Sequence, residues 1–302
     1  MENDLCRQIE KSMRGKVERN EPMSAHTSFG IGGPADIRAV PQSLDDLVAL
    51  LELCTTRKIP HMIVGRGTNL LVRDGGIRGI VISLDDACGN LDVNETRIRA
   101  GAGISLNVLA KFAARHDLQG LEFLVGIPGC VGGGLAVNAG AWGSSLADVL
   151  ESATLYDPKK RETKRVHKDE IVFGYRKSNL PSLGVILEAE FEARKTESEK
   201  IFGRMKEYLM RRADTQPVGF KSAGCIFKNP PGCHAGALID ALGFKGYAHG
   251  GAMVSDIHAN FIINTGSATA ADVLAIAAEI KRGVLRATGI DLEEEIEIVG
   301  RD

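Results

Sequence analysis

"GIPGCVGGGLAVNAGAWG", residues 126–143, places seven glycines in eighteen positions, together with Pro128 and Cys130. From Phe123 to Ala147 the chain carries no charged residue. A membrane span, a flexible linker and a surface that touches a ligand all meet that description. The glycines, Pro128, Asn138 and the serines give the stretch too little helix propensity and lipid affinity for a span. Phe123, Leu124, Ile127, Val131, Leu135, Val137 and Trp142 seek burial, which a linker does not offer. What remains is a buried, glycine-rich backbone that something approaches closely.

The rest of the chain sets the limits. Its 302 residues suffice for two or three compact units, and 44% hydrophobic with 25% charged content is ordinary for a globular protein. Lys and Arg number 37 against 39 Asp and Glu, a net charge of −2. That balance offers no global pull toward nucleic acid or an anionic membrane, and 5% aromatics argue against a base-stacking surface. Six cysteines, at 6, 54, 88, 130, 225 and 233, form no CxxC pair, and the seven histidines form no HxxxH pair. No metal site is expected, and the thiols read as reduced. The charged start "MENDLCRQIEKSMRGK" lacks a signal core, so the expected compartment is the cytoplasm.

Helix and strand signals alternate over the first two thirds. "SLDDLVALLELCTTRKI" opens with Ser43 and Asp46 in a capping pattern and continues at helical spacing. "HMIVG", "GIVISL", "TRIRAGAG" and "GVILEAEFEAR" read as strands, and "ESATLYDPKKRETKRV" as a hairpin around Asp157-Pro158. "SLNVLAKFAARHDL" reads as a helix, as does Thr196 to about Arg212. A proline-rich loop follows, then "AGALIDAL", "ANFIIN", "TAADVLAIAAEIKRGVLRAT" and "EEEIEIVG". The expected division is an N-terminal helical segment (1–25), a first domain (26–195, split near 85) and a smaller α+β domain (196–302).

Four stretches besides the first invite chemistry. "VGRGTNLLVRDGG", residues 64–76, is a strand entering a Gly-x-Gly turn whose N–H groups suit a phosphate, although ordinary turn geometry also explains it. It is neither the dinucleotide fingerprint nor a P-loop. This loop and the uncharged first stretch are both glycine-rich, and two such loops suit one extended ligand carrying a pyrophosphate. "FGYRKSN" sets Arg176 beside Tyr175, and "SAGCIFKNP" sets Cys225 after a glycine; a solvated cation and an inert thiol are the plain alternatives. "LEEEIEIVG" alternates, with Glu293, Glu295 and Glu297 on one face, and spacing alone does not single out Glu295.

Taken together, "HTSFGIGGPAD", "VGRGTNLLVRDGG", "GIPGCVGGGLAVNAGAWG", "YRKSNL", "SAGCIFKNPPG", "HANFIINTG" and "LEEEIEIVG" resemble the UDP-N-acetylenolpyruvoylglucosamine reductase (MurB) family, in its order and over residues 26–300. The short segment between Ser178 and Cys225 is similar to the subclass without an extra substrate-covering loop. The resemblance implies an α+β chain: an FAD-binding fold of the vanillyl-alcohol-oxidase type in two subdomains, followed by a C-terminal substrate domain. It implies reduction of a UDP-N-acetylglucosamine enolpyruvyl ether to UDP-N-acetylmuramate by NADPH through bound FAD, a cytoplasmic step of peptidoglycan synthesis with a small-molecule substrate and no obligate protein partner. Flavin N5 would deliver the hydride. Arg176 and Glu295 would stabilise the enolate, and Cys225, where many relatives have serine, would protonate it. FAD would lie on Gly65, Arg66, Gly67, Thr68, Asn69 and Leu70, on Ile127, Pro128, Gly129, Val131, Gly132, Gly133, Ala136 and Asn138, and on Arg212. Tyr175, Asn229 and His258 would face the substrate. Another FAD oxidoreductase of this fold, acting on an alcohol or lactone, and a catalytically silent nucleotide-sugar binder are the alternatives. The first leaves the C-terminal motifs unexplained, and the second predicts a colourless protein.

Overall fold

The hydroxyl of Ser43 accepts a hydrogen bond from the Asp46 N–H at 3.2 Å, the cap that its spacing predicts. In the computed structural model, which describes residues 2–84 and 87–302, the helix Leu44–Arg57 starts there and buries Leu47, Leu50, Leu51 and Cys54. The runs His61–Val64 and Ile77–Ser83 are adjacent parallel strands, with His61 opposite Ile80 and Val64 opposite Ser83. They belong to a four-stranded sheet ordered Gly15–Pro22, Pro34–Pro41, Ile77–Ser83, His61–Val64.

A second, five-stranded antiparallel sheet runs Glu162–His167, Leu150–Asp157, Val185–Glu192, Arg97–Gly101, Leu91–Asn94. The expected hairpin around Pro158 forms its edge, pairing Asp157 with Glu162. The helix Leu106–Arg115 buries Leu106, Leu109, Ala110, Ala113 and Ala114. These positions recur at i, i+3, i+4, i+7 and i+8, the stripe of a helix with one buried face.

Residues divide into two compact units, one of Met1–Arg19, Ile37–Arg66 and Gly79–Arg211, the other of Asn20–Asp36, Gly67–Arg78 and Arg212–Asp302. This partition departs from the expected boundary near 195. The helix Ser198–Thr215 buries Ile201 and Met205 in the same apolar core as Leu109 and Phe191, so the first unit extends past it to Arg211. Conversely, Phe29, Ile31 and Leu71 lie in the core of Phe227, Ile262 and Ile276, which assigns two early segments to the second unit. The N-terminal stretch is not helical throughout: Glu2–Ser12 is a helix, Gly15–Pro22 a strand and Met23–Ala25 a single 3₁₀ turn. The expected subdivision near 85 falls at residues 85–86, outside the described residues.

In the second unit, a three-stranded sheet (Ala248–His249, Ala252–Val254, Ile262–Asn264) accompanies the helices Ala235–Ala241 and Ala270–Thr288. Thr269 and Asp272 form a capping box on the long helix, and Gly289 ends it in the left-handed conformation. Asp74, from the loop "VRDGG", accepts from the N–H groups of Ala270 (2.9 Å) and Ala271 (3.0 Å). A carboxylate there satisfies two helix-terminal donors and complements the helix dipole. Asp74→Ala is therefore expected to lower the free energy of urea unfolding by about 1 kcal/mol, the usual loss on removing a cap. Asp74→Asn, which keeps one acceptor oxygen, should lose less; an unchanged midpoint in the alanine variant would refute the capping role.

Candidate functional site

In the first unit the uncharged stretch folds into a turn, the short helix Val131–Ala136 and a tight hairpin pairing Gly140–Ala141 with Ser144–Ser145. Its glycines serve different ends. The N–H groups of Val131 and Gly132 bond the carbonyls of Ile104 (2.8 Å) and Ala102 (2.9 Å). A Cβ on Gly132 would stand 3.0 Å from the Ala102 Cβ, and one on Gly134 would stand 2.9 Å from Leu146 Cδ1. Those two glycines permit chain-on-chain packing. Gly133 is exposed, and only Cys130 Sγ, at 3.6 Å, lies near its missing Cβ. The open face is at Gly133.

Cys130 is 2% exposed and bridges Ser105 across a short strand contact. Its sulfur would stand 2.3 Å from a Cβ at Gly65, while its own Cβ would stand 3.9 Å away. The thiol thus fills the space that a side chain at 65 would need. Burial pushes the neighbouring Cys88 thiol up to about 12, with the Cys130 and Glu188 charges acting in the same direction. The Cys88 thiol is an apolar filler at neutral pH. Gly65→Ala alone should lower the melting temperature and the bound flavin content. Gly65→Ala with Cys130→Ala should recover most of both, because the close contact relaxes to ordinary van der Waals distance. Failure of the double variant to recover would sink the steric account.

Tyr175 and Arg176 form the turn of a second hairpin, Phe173–Gly174 with Lys177–Ser178. Arg176 has φ +55°, the left-handed region that a non-glycine residue adopts only when its surroundings hold it there. Four hydrogen bonds from three side chains do so. The Asn138 amide donates to Gly174 O (3.2 Å), Ser178 Oγ donates to Leu135 O (2.8 Å) and Ala136 O (3.1 Å), and Arg176 Nη1 donates to Gly140 O (3.0 Å). Asn138 also accepts from Ala147 N–H at 3.0 Å, so both ends of its amide serve the protein. The guanidinium carbon lies 5.5 Å from the centre of the half-exposed Tyr175 ring.

The second unit gathers Cys225, Glu295, Asn69, Arg212, Asn229 and His258. Cys225 bridges Phe261, and Phe227 bridges Glu294. Between them, Ile226 O accepts from the Glu295 N–H at 2.7 Å. The Asn69 amide donates to Glu295 O (3.1 Å), and the Glu297 N–H donates to Asn69 O (2.8 Å). Gly67, with φ +59°, has no room for a side chain because His26 O would stand 2.1 Å from its Cβ. Its requirement for glycine comes from packing within its own unit. Gly65 and Arg66 belong to the first unit, and Gly67, Thr68, Asn69 and Leu70 to the second.

A cavity of about 260 Å³ is lined by Cys225, Asn229, His258, Lys245 and Asp240 among others. Gly224, beside the thiol, has nothing within 4 Å of the place a Cβ would take. Burial lowers the Arg212 guanidinium from its usual value, and the Cys225 charge opposes the shift, so the two groups interact electrostatically. Lys245 pairs with Asp240 at 2.8 Å. Asn229 accepts from Ala235 N–H at 3.0 Å. The Asn260 amide clamps Phe227 on both sides, accepting from its N–H (3.0 Å) and donating to its carbonyl (2.8 Å). Sequence reasoning passed over Lys245, Asp240, Asn260, Ser178 and Gly140. Asn260, Ser178 and Gly140 lie within the motifs "HANF", "YRKSN" and "GIPGCVGGGLAVNAGAWG", whereas Lys245 and Asp240 lie in no chemical motif.

His258 Nδ1 accepts from Asn260 N–H at 3.2 Å, which leaves the proton on Nε2. Burial lowers its pKa, Lys245 adding to the effect while its own backbone and Asp240 oppose it. The unfolded chain therefore binds this proton first as pH falls below about 6.5. Stability from neutral His258 is complete above that pH and is lost on descending toward the lower folded value. His258→Gln should show a smaller drop in urea midpoint between pH 7.5 and 5.5 than the parent. An identical drop would contradict the assignment.

The first of these arrangements defines a flavin-binding protein: the FAD binding domain profile matches residues 35–163. An open, uncharged backbone at Gly133, within a charge-free stretch, fits a flavin laid against it. The C-terminal domain profile of UDP-N-acetylenolpyruvoylglucosamine reductase matches residues 216–299. The chain is 44% identical over 302 residues to the UDP-N-acetylenolpyruvoylglucosamine reductase of Geotalea uraniireducens (strain Rf4), covering 100% of both chains. It is 46% identical over 292 residues to that of Pelobacter propionicus (strain DSM 2379 / NBRC 103807 / OttBd1), covering 96% of this chain and 98% of the relative. The crystal structure of the Thermus caldophilus enzyme (MurB) superposes with a TM-score of 0.80 at 35% identity, over 95% of this chain and 99% of that one. The chain belongs to the UDP-N-acetylenolpyruvoylglucosamine reductase family.

Proposed function

We propose that this chain reduces the enolpyruvyl ether of UDP-N-acetylglucosamine to UDP-N-acetylmuramate, with NADPH as reductant, in the cytoplasmic assembly of peptidoglycan precursors. The observation that supports this reading is the backbone hydrogen bond from Glu295 to Ile226, next in sequence to Cys225, which itself lines an open cavity. The uncharged loop around Gly133 would hold FAD, whose chemistry when bound would be hydride transfer. Among the described residues no helix is long and apolar enough to cross a membrane.

The reaction adds a hydride and a proton across a vinyl double bond already conjugated to a carboxylate. Hydride addition at the terminal carbon pushes electrons onto that carboxylate and builds a second negative charge. Arg176, its guanidinium held by Gly140 O, supplies the compensating cation. Glu295 in its acid form donates a hydrogen bond to the same enolate. Cys225 then gives its proton to the carbanion carbon and becomes a thiolate. The positive charge of Arg212, within electrostatic range of the sulfur, stabilises that thiolate until solvent reprotonates it. Tyr175, Asn229 and His258 contact the nucleotide-sugar, and neutral His258 offers its Nε2–H as a donor.

Anaerobic stopped-flow absorbance separates the two halves of the cycle. NADPH should bleach the bound flavin, and the enolpyruvyl substrate should restore its colour. Cys225→Ala should leave the bleaching rate within about twofold and slow recolouring by roughly 10²–10⁴-fold, the usual worth of a positioned general acid. Equal slowing of both halves would overturn the proton-donor role, and a substrate that never recolours the flavin would overturn the reaction.

A further inference from the structure

The hairpin that holds Arg176 carries a second strained residue. Ala141 pairs with Ser144, so Trp142 and Gly143 form a two-residue turn, and both have positive φ, +57° and +83°. Such a turn takes Asn, Asp or Gly at its first position because a bulky side chain is crowded there. Nothing lies within 4 Å of a Cβ at Gly143, so the turn stands clear of its surroundings on that side. A tryptophan in the unfavourable position needs a compensating contact. It has one: its ring stacks on Tyr208 of the helix Ser198–Thr215, with centroids 5.6 Å apart and planes 6° from parallel.

Resting on the function proposed above, we propose that Trp142 is a positioning residue for Arg176. The stack fixes the hairpin tip to a long helix, and the hairpin fixes Gly140 O, which in turn accepts the Arg176 Nη1 hydrogen bond at 3.0 Å. Arg176 and Asn138 are also left-handed, at +55° and +46°, so three strained non-glycine residues lie in or beside the two hairpins that the Arg176–Gly140 and Asn138–Gly174 hydrogen bonds join. Backbone strain gathered at one place marks a geometry that the surrounding contacts enforce. The ring is 36% exposed, so it is no core filler, and its worth lies in aim. A cation that drifts by about 1 Å loses much of its hold on the developing enolate charge.

The test uses the FAD-loaded holoenzyme, four variants of the stack, and Arg176→Ala alone and combined with Trp142→Gly. Trp142→Gly keeps the turn, since glycine favours the left-handed region, and removes only the ring. Tyr208→Leu removes the other half of the stack; Trp142→Phe and Tyr208→Phe preserve it. Trp142→Gly and Tyr208→Leu should slow recolouring by the enolpyruvyl substrate at least about tenfold, with bleaching by NADPH within about twofold. The two phenylalanine variants should stay near the parent rate. Trp142 is the single tryptophan of the sequence, so its emission reads the stack directly: Tyr208→Leu should shift it to the red and Tyr208→Phe should not. In an Arg176→Ala background, Trp142→Gly should add less than about twofold, because the residue it positions is gone. If Arg176→Ala is slow and both Trp142→Gly and Tyr208→Leu recolour at the parent rate, the positioning role is overturned and the function stands. If Arg176→Ala itself recolours at the parent rate, the assignment of Arg176 falls first. Equal loss in both half-reactions would reduce Trp142 to a general packing role and overturn the proposal. Should Trp142→Gly fail to fold, Tyr208→Leu carries the same contrast.

Discussion

The short strand Leu70–Val72 pairs in parallel with Glu297–Val299, and the placement of the Glu295 segment depends on that register. Leu70 opposite Glu297 sets Asn69 where its amide reaches Glu295 O and its carbonyl accepts from Glu297 N–H. A slip of one residue would turn every side chain of the short strand to the other face, Glu295's neighbours included. From there the ladder continues to Ile226 and so to Cys225. The acid and the thiol are placed by backbone hydrogen bonds.

The first unit solves a different problem. A guanidinium on a surface hairpin would sample many rotamers, and ordering it costs conformational entropy. Here the cost is met by neighbours that are not themselves reactive: Asn138, Ser178 and the Gly140 carbonyl fix the hairpin and its cation. The buried sulfur of Cys130, close against Gly65, serves packing in the same way. Of the two thiols in glycine-rich loops, the one with open space beside it is Cys225.

Much of this was legible in advance. The helix Leu106–Arg115 follows from periodicity, the Ser43 cap from a single spacing, and the hairpin at Pro158 from its turn residues. Each is decided by neighbours in sequence. The unit boundaries were not legible, because the assignment of Phe29 and Leu71 depends on apolar partners two hundred residues away. Gly67 reads from sequence as a turn glycine, open to ordinary turn geometry or a phosphate, and the reason a Cβ has no room there is His26 O, a contact that no local pattern reveals. Lys245 and Asp240 sit in the cavity without any motif, since an ion pair needs only two charges that the fold brings together. Glu295 could be picked out from its alternating acidic neighbours only by resemblance. In the structure, Glu294 is engaged by Lys281 and Glu293 by Lys228.

The interleaved composition of the second unit bears on how the chain is made. Phe29, Ile31 and Leu71 emerge from the ribosome early, yet their core partners Phe227, Ile262 and Ile276 come much later. Asp74 likewise waits for the helix it caps until Ala270 has been synthesised. Until then these apolar residues and the unpaired strand Leu70–Val72 have no native cover, the condition in which nascent chains aggregate or recruit chaperones. The second unit, and the Glu295 segment with it, becomes complete only when residues 297–299 supply the last strand. Translation order thus makes the second unit the last to form.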